Sequence, residues 1–367
     1  MTSRRAPRAT IDVGGRLIGP EAEIYLVAET ACAHQGRLET LLALVDAAAD
    51  AGCDAIQFEM FDAPNNMVSH APMFELISKL QLSTENWKAA FTHARRRNLA
   101  IFGYVYDRPS LAVALELGPD ALKLNASDLC NPELLDGVAR SGLPFTLGVG
   151  AATLEEISQS LDYVLERGGD AVALMHGVQS FPTPPNRAQI GRIRLLRETF
   201  RALVGYADHT SGADPAAGWI DAAAIGAGAC LLEKHVILDA DAAADGVDRQ
   251  AALSPNALRD YVARMRVASS AIGRSSPQPL MDYELTYRRF QRKVVVAARP
   301  IAKNSPLSQE DVIFLRHPEE GLPPFDLTEF LGHATLRAIL PGEPIRVSDL
   351  TAPIDFDSNN TKQQQQS

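Results

Sequence analysis

Cysteine is scarce in this chain, with four in 367 residues, and none is spaced as a metal ligand or a disulfide partner. Cys32, Cys53, Cys130 and Cys230 are scattered, each in or near a stretch assigned to the core, which points to reduced thiols in a cytoplasmic protein. No apolar run is long enough to span a bilayer. The basic start, Met1 to Arg8, has no apolar segment behind it and reads as a solvated arm rather than a secretory signal. Positive charge is also short. A net charge of −10 argues against nucleic acid as a partner, because binding a phosphate backbone needs a basic face. Gly14-Gly15, Gly148-Val149-Gly150 and Gly226-Ala227-Gly228 lack the spacing of a phosphate or dinucleotide loop, so they read as turns and close packing.

What the chain does have is alternation. Apolar strand-like runs fall near residues 24–29, 54–61, 100–106, 120–124, 144–149, 170–176, 203–207 and 229–235. Helical patterns lie between and after them, at 38–51, 84–97, 109–117, 132–141, 154–167, 189–200, 215–227 and 255–272. Eight such repeats predict a closed (β/α)8 TIM barrel over residues 11–273, with a hairpin at 11–22 plugging one end. An open doubly wound sheet is the alternative, but no Gly-rich dinucleotide turn follows the first strand. Residues 1–10 form the arm, 274–291 a polar linker, 292–352 a small β-rich domain, and 353–367 a disordered polar tail. The small domain, with strands expected at 293–297, 312–315 and 338–340, has little core of its own.

The chemistry concentrates in Val204 to His235. Both ends of this stretch are short strands running into an imidazole, His209 and His235, with an Ala-rich helix between. A strand-helix-strand unit places both histidines at the C-terminal edge of neighbouring parallel strands, where active sites of such folds gather. Two imidazoles with Asp208 and Glu233 beside them suit one divalent ion.

Several motifs, in order, resemble those of the sialic acid synthases. Val27 to Gly36 carries Glu29 and a turn with His34; Ala121 to Leu124 carries Lys123, followed by Asp128. Gly148 to Glu156, Met175-His176 with Phe181 to Pro184, Ala207 to Thr210, Glu233-Lys234-His235 and Gly246-Val247-Asp248 continue the match. Arg292 to Leu350 is similar to the antifreeze-like (SAF) module such synthases carry.

The resemblance implies a metal-dependent enzyme joining phosphoenolpyruvate, or a related three-carbon donor, to a sugar-type aldehyde. The product is a 3-deoxy-2-ulosonic acid and the metal is manganese or magnesium. His209 and His235 hold it; Glu29, Lys123, Asp128 and Asp248 are the implied catalytic residues. Substrate contacts fall to His34, Asp208, Thr210, Phe181, Glu233 and Lys234, and the SAF module implies a domain-swapped homodimer.

At places where the family keeps Lys and Gln on its second strand and Ser on its fourth, fifth and seventh, this chain has Gln57, Glu59, Ala126, Gly148 and Ala207. Tyr104 replaces a Thr, Gln179 an Asn, and His317, next to Arg316, an Arg of the SAF module. Each donor lost to a phosphate costs about 1.5–3 kcal/mol. Either new groups such as Gln57, Tyr104, Tyr106 and Arg108 rebind the donor, or it carries no phosphate. Glu59 reads as a salt-bridge partner of Lys123, a third metal ligand or a general base. Lys123 also admits a Schiff-base role. A further alternative is a catalytically silent relative that binds a sugar acid or scaffolds a partner.

Overall fold

Eight parallel strands close into a barrel in the computed structural model, which describes residues 6–238, 249–273 and 277–351. Ahead of the barrel, β1 (Ile11–Val13) and β2 (Arg16–Ile18) form an antiparallel hairpin. The barrel strands are β3 (Tyr25–Glu29), β4 (Ala55–Met60), β5 (Ala100–Val105), β6 (Ala121–Leu124), β7 (Phe145–Gly148), β8 (Val172–His176), β9 (Leu203–Asp208) and β10 (Leu231–His235). They run in sequence order around the barrel, and β10 pairs with β3 to close it, with His235 opposite Glu29. The expected barrel is therefore the observed one.

The flanking helices form where apolar spacing and caps coincide. Leu38–Ala51 buries Leu41, Leu44, Val45 and Ala48 along one face and ends at Gly52, whose φ of 83° suits a residue without Cβ. Asp107 and Ser110 make a reciprocal capping box at the start of Arg108–Leu117, and Thr153 with Glu156 does the same for Leu154–Glu166. Two short helices, Ala63–Asn66 and Phe74–Leu80, fill the connection after β4. The second has no buried residue, although Phe74, Ile77 and Leu80 recur at helical spacing.

Strand side chains alternate between two cores. Leu26, Ile56, Ile101, Leu122 and Leu174 pack outward against the helices. Tyr25, Val27, Phe102, Ala121, Ala173 and Leu231 fill the barrel interior together with Ile11, Val13 and Ile18 of the hairpin. The hairpin thus plugs the N-terminal end as expected. Tyr25 Oη donates to the carbonyl of Val13 at 3.3 Å, and a Cβ on Gly14 would lie 2.6 Å from that of Ala100.

The chain divides into two compact units, Met1–Arg274 and Ser275–Ser367. In the second, residues expected as a polar linker form the helix Asp282–Gln291. Its i, i+4 spacing was masked in sequence by charged residues between Tyr283, Tyr287 and Phe290. β11 (Lys293–Ala297) pairs antiparallel with β12 (Val312–Arg316), whereas the expected strand at 338–340 is reduced to one bridge between Ile301 and Ile339. A small buried cluster, including Val295, Ile301, Leu307, Ile339 and Ile345, holds this unit together. Buried Asp349 and Asp311 anchor it through Arg337 and Arg299, each at 2.7 Å.

None of the four cysteines forms a disulfide, and Cys130 is exposed rather than part of a core. Among the described residues, no helix is long and apolar enough to cross a membrane.

Candidate active site

The barrel's C-terminal mouth opens into a cavity. The inward-facing residues at the strand ends make its floor: Glu29, Glu59, Tyr104, Lys123, Glu233 and His235. The period of two explains the set. In β10, Glu233 and His235 share the inner face, and in β4 Gln57 and Glu59 share it.

Lys123 stands at the centre. Its Nζ lies 2.6 Å from Glu233 and 3.4 Å from Glu29, and 4.0 Å above the ring of Tyr104. Burial opposes its charge, yet the two carboxylates outweigh that and raise the ammonium pKa above its ordinary value. Burial, reinforced by the neighbouring Glu29, pushes the Glu233 carboxyl up to about 7, while Lys123 pulls the other way. Lys123 therefore contacts Glu29 and Glu233 in place of the expected Glu59. Glu59 accepts hydrogen bonds from Tyr106 Oη and, at 3.4 Å, from Cys32 Sγ. The Tyr104 and Tyr106 rings pack at 4.7 Å, and Asn125 Nδ2 donates to Tyr106 Oη at 3.0 Å.

His209 and His235 meet at the cavity wall with ring centroids 5.5 Å apart. Burial first, and for His209 the adjacent His235 as well, lowers both to about 4, so both imidazoles are neutral near pH 7. His209 Nδ1 donates to the carbonyl of Val178 at 2.8 Å, which leaves Nε2 with its lone pair. Phe181 packs 4.2 Å from the same ring. His235 Nδ1 is buried without a hydrogen-bond partner, and Nε2 lies 3.6 Å from Glu29. Among the described residues, Glu29, Glu233 and His235 form the one group whose candidate ligand atoms all lie within 4.8 Å of one another. A set of carboxylate oxygens and an imidazole fits a hard or borderline divalent ion. His209 stands beside that group rather than within it.

Other expected contacts lie elsewhere, and the pleat is the reason. Lys234 and Asp208 face outward from β10 and β9, between barrel and helices, where Lys234 pairs with Asp208 and lies 3.7 Å from Asp221. Asp208 also accepts from Thr210 N and Oγ1, at 3.0 and 2.6 Å, and from Tyr206 Oη at 3.1 Å. None of the three lines the cavity, so Asp208, Thr210 and Lys234 hold the strand ends instead of meeting a ligand. Gln57 lies one layer below Glu59 inside the barrel, with Nε2 unpartnered. His34 is buried against Trp87 and accepts from Gly36 N, outside the cavity. Asp128 turns into a 3-10 turn, where Ser127 Oγ and Asn131 Nδ2 donate to it. Arg108 pairs with Glu133 at the surface, 3.2 Å away. Arg316 is exposed on β12 and His317 accepts from Glu319 N, both in the second unit. Asp248 lies outside the described residues.

The cavity also contains groups that sequence reasoning passed over. Asn125 and Met175 line it, and Cys32 contacts Glu59. Asn125 sits two residues after Lys123, so the strand's alternation would have flagged it. Gln179 and Phe181 line the cavity as expected. At Gly148 a Cβ would come 2.6 Å from the backbone nitrogen of Ala126, so the main chain itself closes the wall there. Gly148→Ser will destabilise the fold by about 1–3 kcal/mol, measured as a shift in denaturation midpoint. An unchanged midpoint would show that the wall can open to admit a hydroxyl.

Comparison with known proteins agrees with this geometry. Residues 44–277 match the NeuB family and residues 292–351 match the SAF domain. The N,N'-diacetyllegionaminic acid synthase of Legionella pneumophila is 27% identical, over 86% of this chain and 91% of its own. The N-acetylneuraminate-9-phosphate synthase of Drosophila melanogaster is 26% identical, over 91% and 96%. The crystal structure of an N-acetylneuraminic acid (sialic acid) synthetase from Leptospira borgpetersenii, in complex with citrate, superposes with a TM-score of 0.70. It shares 26% identity and covers 76% of this chain and 96% of that one. With its barrel, its carboxylate and imidazole cluster and its SAF domain, the chain belongs to the NeuB family and is a synthase.

Proposed function

We propose that this synthase extends a sugar-type aldehyde by three carbons, joining a three-carbon donor to the aldehyde carbon to give a 2-ulosonic acid. The observation that carries this reading is the convergence of Glu29, Glu233, His235, His209 and Lys123 at one barrel mouth. Relatives named as legionaminic acid, N-acetylneuraminate-9-phosphate and pseudaminic acid synthases support it. His235 and His209 would hold a manganese or magnesium ion with Glu29 or Glu233 completing the set, and the ion would polarise a substrate carbonyl as a Lewis acid. Lys123 holds the buried carboxylates of Glu29 and Glu233 in place. Phe181 covers His209, and Tyr104 lies beneath Lys123, so both shed water from the reacting centre. Gln179 offers an amide contact to sugar hydroxyls. We place the protein in the cytoplasm as a homodimer; the exposed Tyr283, Tyr287 and Phe290 of one short helix support an assembly.

The silent alternative fits poorly, because an idle site gains nothing from two buried carboxylates around one buried lysine. The test is mass spectrometry of the metal-loaded protein incubated with N-acylated aldoses and either phosphoenolpyruvate or pyruvate. An aldose lengthened by three carbons, formed only with metal and lost in His235→Ala, is the expected result. Failure of every aldose to gain carbon with either donor would sink the reading.

A further inference from the structure

We propose that the donor is an unphosphorylated three-carbon 2-oxo acid of the pyruvate class, and that Glu59 removes its methyl proton. This deepens the reading above and rests on it.

The charge of the cavity wall comes first. Glu29, Glu59 and Glu233 face the same space as a single cation, Lys123. That cation is already held, at 2.6 Å by Glu233 and 3.4 Å by Glu29. No arginine lines the cavity among the described residues. A divalent ion bound at the carboxylates would only neutralise the wall. A phosphate ester bearing several charges would then add its full negative charge to a buried, low-dielectric space. A singly charged 2-oxo acid adds far less.

The neutral donors lead to the same conclusion. Ala126, Gly148 and Ala207 line the wall without a hydroxyl. At Gly148 the Ala126 backbone stands where a side chain would begin. Tyr106 Oη and Cys32 Sγ donate to Glu59, and Asn125 Nδ2 donates to Tyr106, so these donors serve a carboxylate of the protein. A phosphate would have to displace that network and sit against Glu59.

Glu59 lines the cavity beside the group formed by Glu29, Glu233 and His235, and it takes the proton-transfer role in this proposal. In the step assigned here, a methyl C–H bond of the 2-oxo acid breaks and the proton passes to Glu59. The electron pair left on that carbon forms the bond to the aldehyde carbon, and the aldehyde oxygen takes up a proton. Nothing leaves, so no phosphate is released and no co-reactant is needed.

The test uses the magnesium-loaded full chain and needs no knowledge of the aldehyde. Calorimetry compares pyruvate with phosphoenolpyruvate, and proton NMR in deuterated water follows loss of the pyruvate methyl signal. Pyruvate is expected to bind at least about tenfold more tightly and to exchange its methyl protons. Glu59→Gln should keep pyruvate affinity within about threefold while slowing exchange by about a hundredfold or more, and should bind phosphoenolpyruvate more tightly than the parent does. Tighter binding of phosphoenolpyruvate by the parent, or phosphate released from it on adding an aldose, overturns the inference and leaves the synthase reading intact. If neither donor binds, both fall. Undiminished exchange in Glu59→Gln removes Glu59 as the base.

Discussion

Replacing Lys123 with methionine will lower the stability of the metal-free protein by about 3–5 kcal/mol, the range for stripping one partner from a buried ion pair. The side chains of Glu29 and Glu233 are 4% and 2% exposed, and Lys123 is the cation they share. Without it, two carboxylates face each other in a space that already raises the Glu233 carboxyl to about 7. One of them must take up a proton or the mouth must spread. A divalent ion should replace the missing charge, so magnesium or manganese will restore most of the loss. Urea denaturation of the variant, with chelator and with metal, reads both effects. Equal midpoints for variant and parent under chelator would show that Lys123 does not hold the carboxylates together.

Lys234→Met offers the contrast. Lys234 also lies near the end of an apolar strand, and its loss will likewise cost about 3–5 kcal/mol. Its partners are Asp208 and Asp221, both 0% exposed, with the ring of Tyr261 at 5.6 Å. Burial, together with Asp208 nearby, holds the Asp221 carboxyl well above the carboxylate range, although Lys234 works against it. Asp208 is held below its ordinary value, because Lys234 and Thr210 outweigh its burial. Removing Lys234 therefore strands the charge on Asp208. Metal will not rescue this variant, because the network lies on the outer face of β9 and β10, away from the cavity. The same denaturation series decides it: rescue by metal equal to that of Lys123→Met would place Lys234 at the mouth after all.

These two lysines also show how far the sequence could be read. The barrel was legible because each of its eight strands is a short apolar run between helical patterns with clear caps and stops. Glu29, Lys123, Glu233, His209 and His235 were legible as groups at the ends of such runs, and the cavity brings them together. Asp208, Thr210 and Lys234 looked equivalent in the sequence, yet the structure sends them to the opposite face. Asp128 looked like a partner of Lys123, yet Asn125 takes the place on the cavity wall. The helix Asp282–Gln291 reads as a linker in sequence because charged residues interrupt its apolar spacing.

Sequence alone thus determined the order of elements, the closing of eight strands and the residue types gathered at their C-terminal ends. It could not determine which way each strand faces. A barrel strand is buried on both sides, so the apolar pattern that separates inside from outside in a half-exposed sheet is missing. Alternation links Glu233 to His235 and sets Lys234 apart, but only the closed register of β9, β10 and β3 decides which pair meets the cavity. Tertiary contact likewise placed Glu59 under Tyr106 and Cys32, since the carboxylate and its two partners come from three separate strand ends that proximity in sequence does not join.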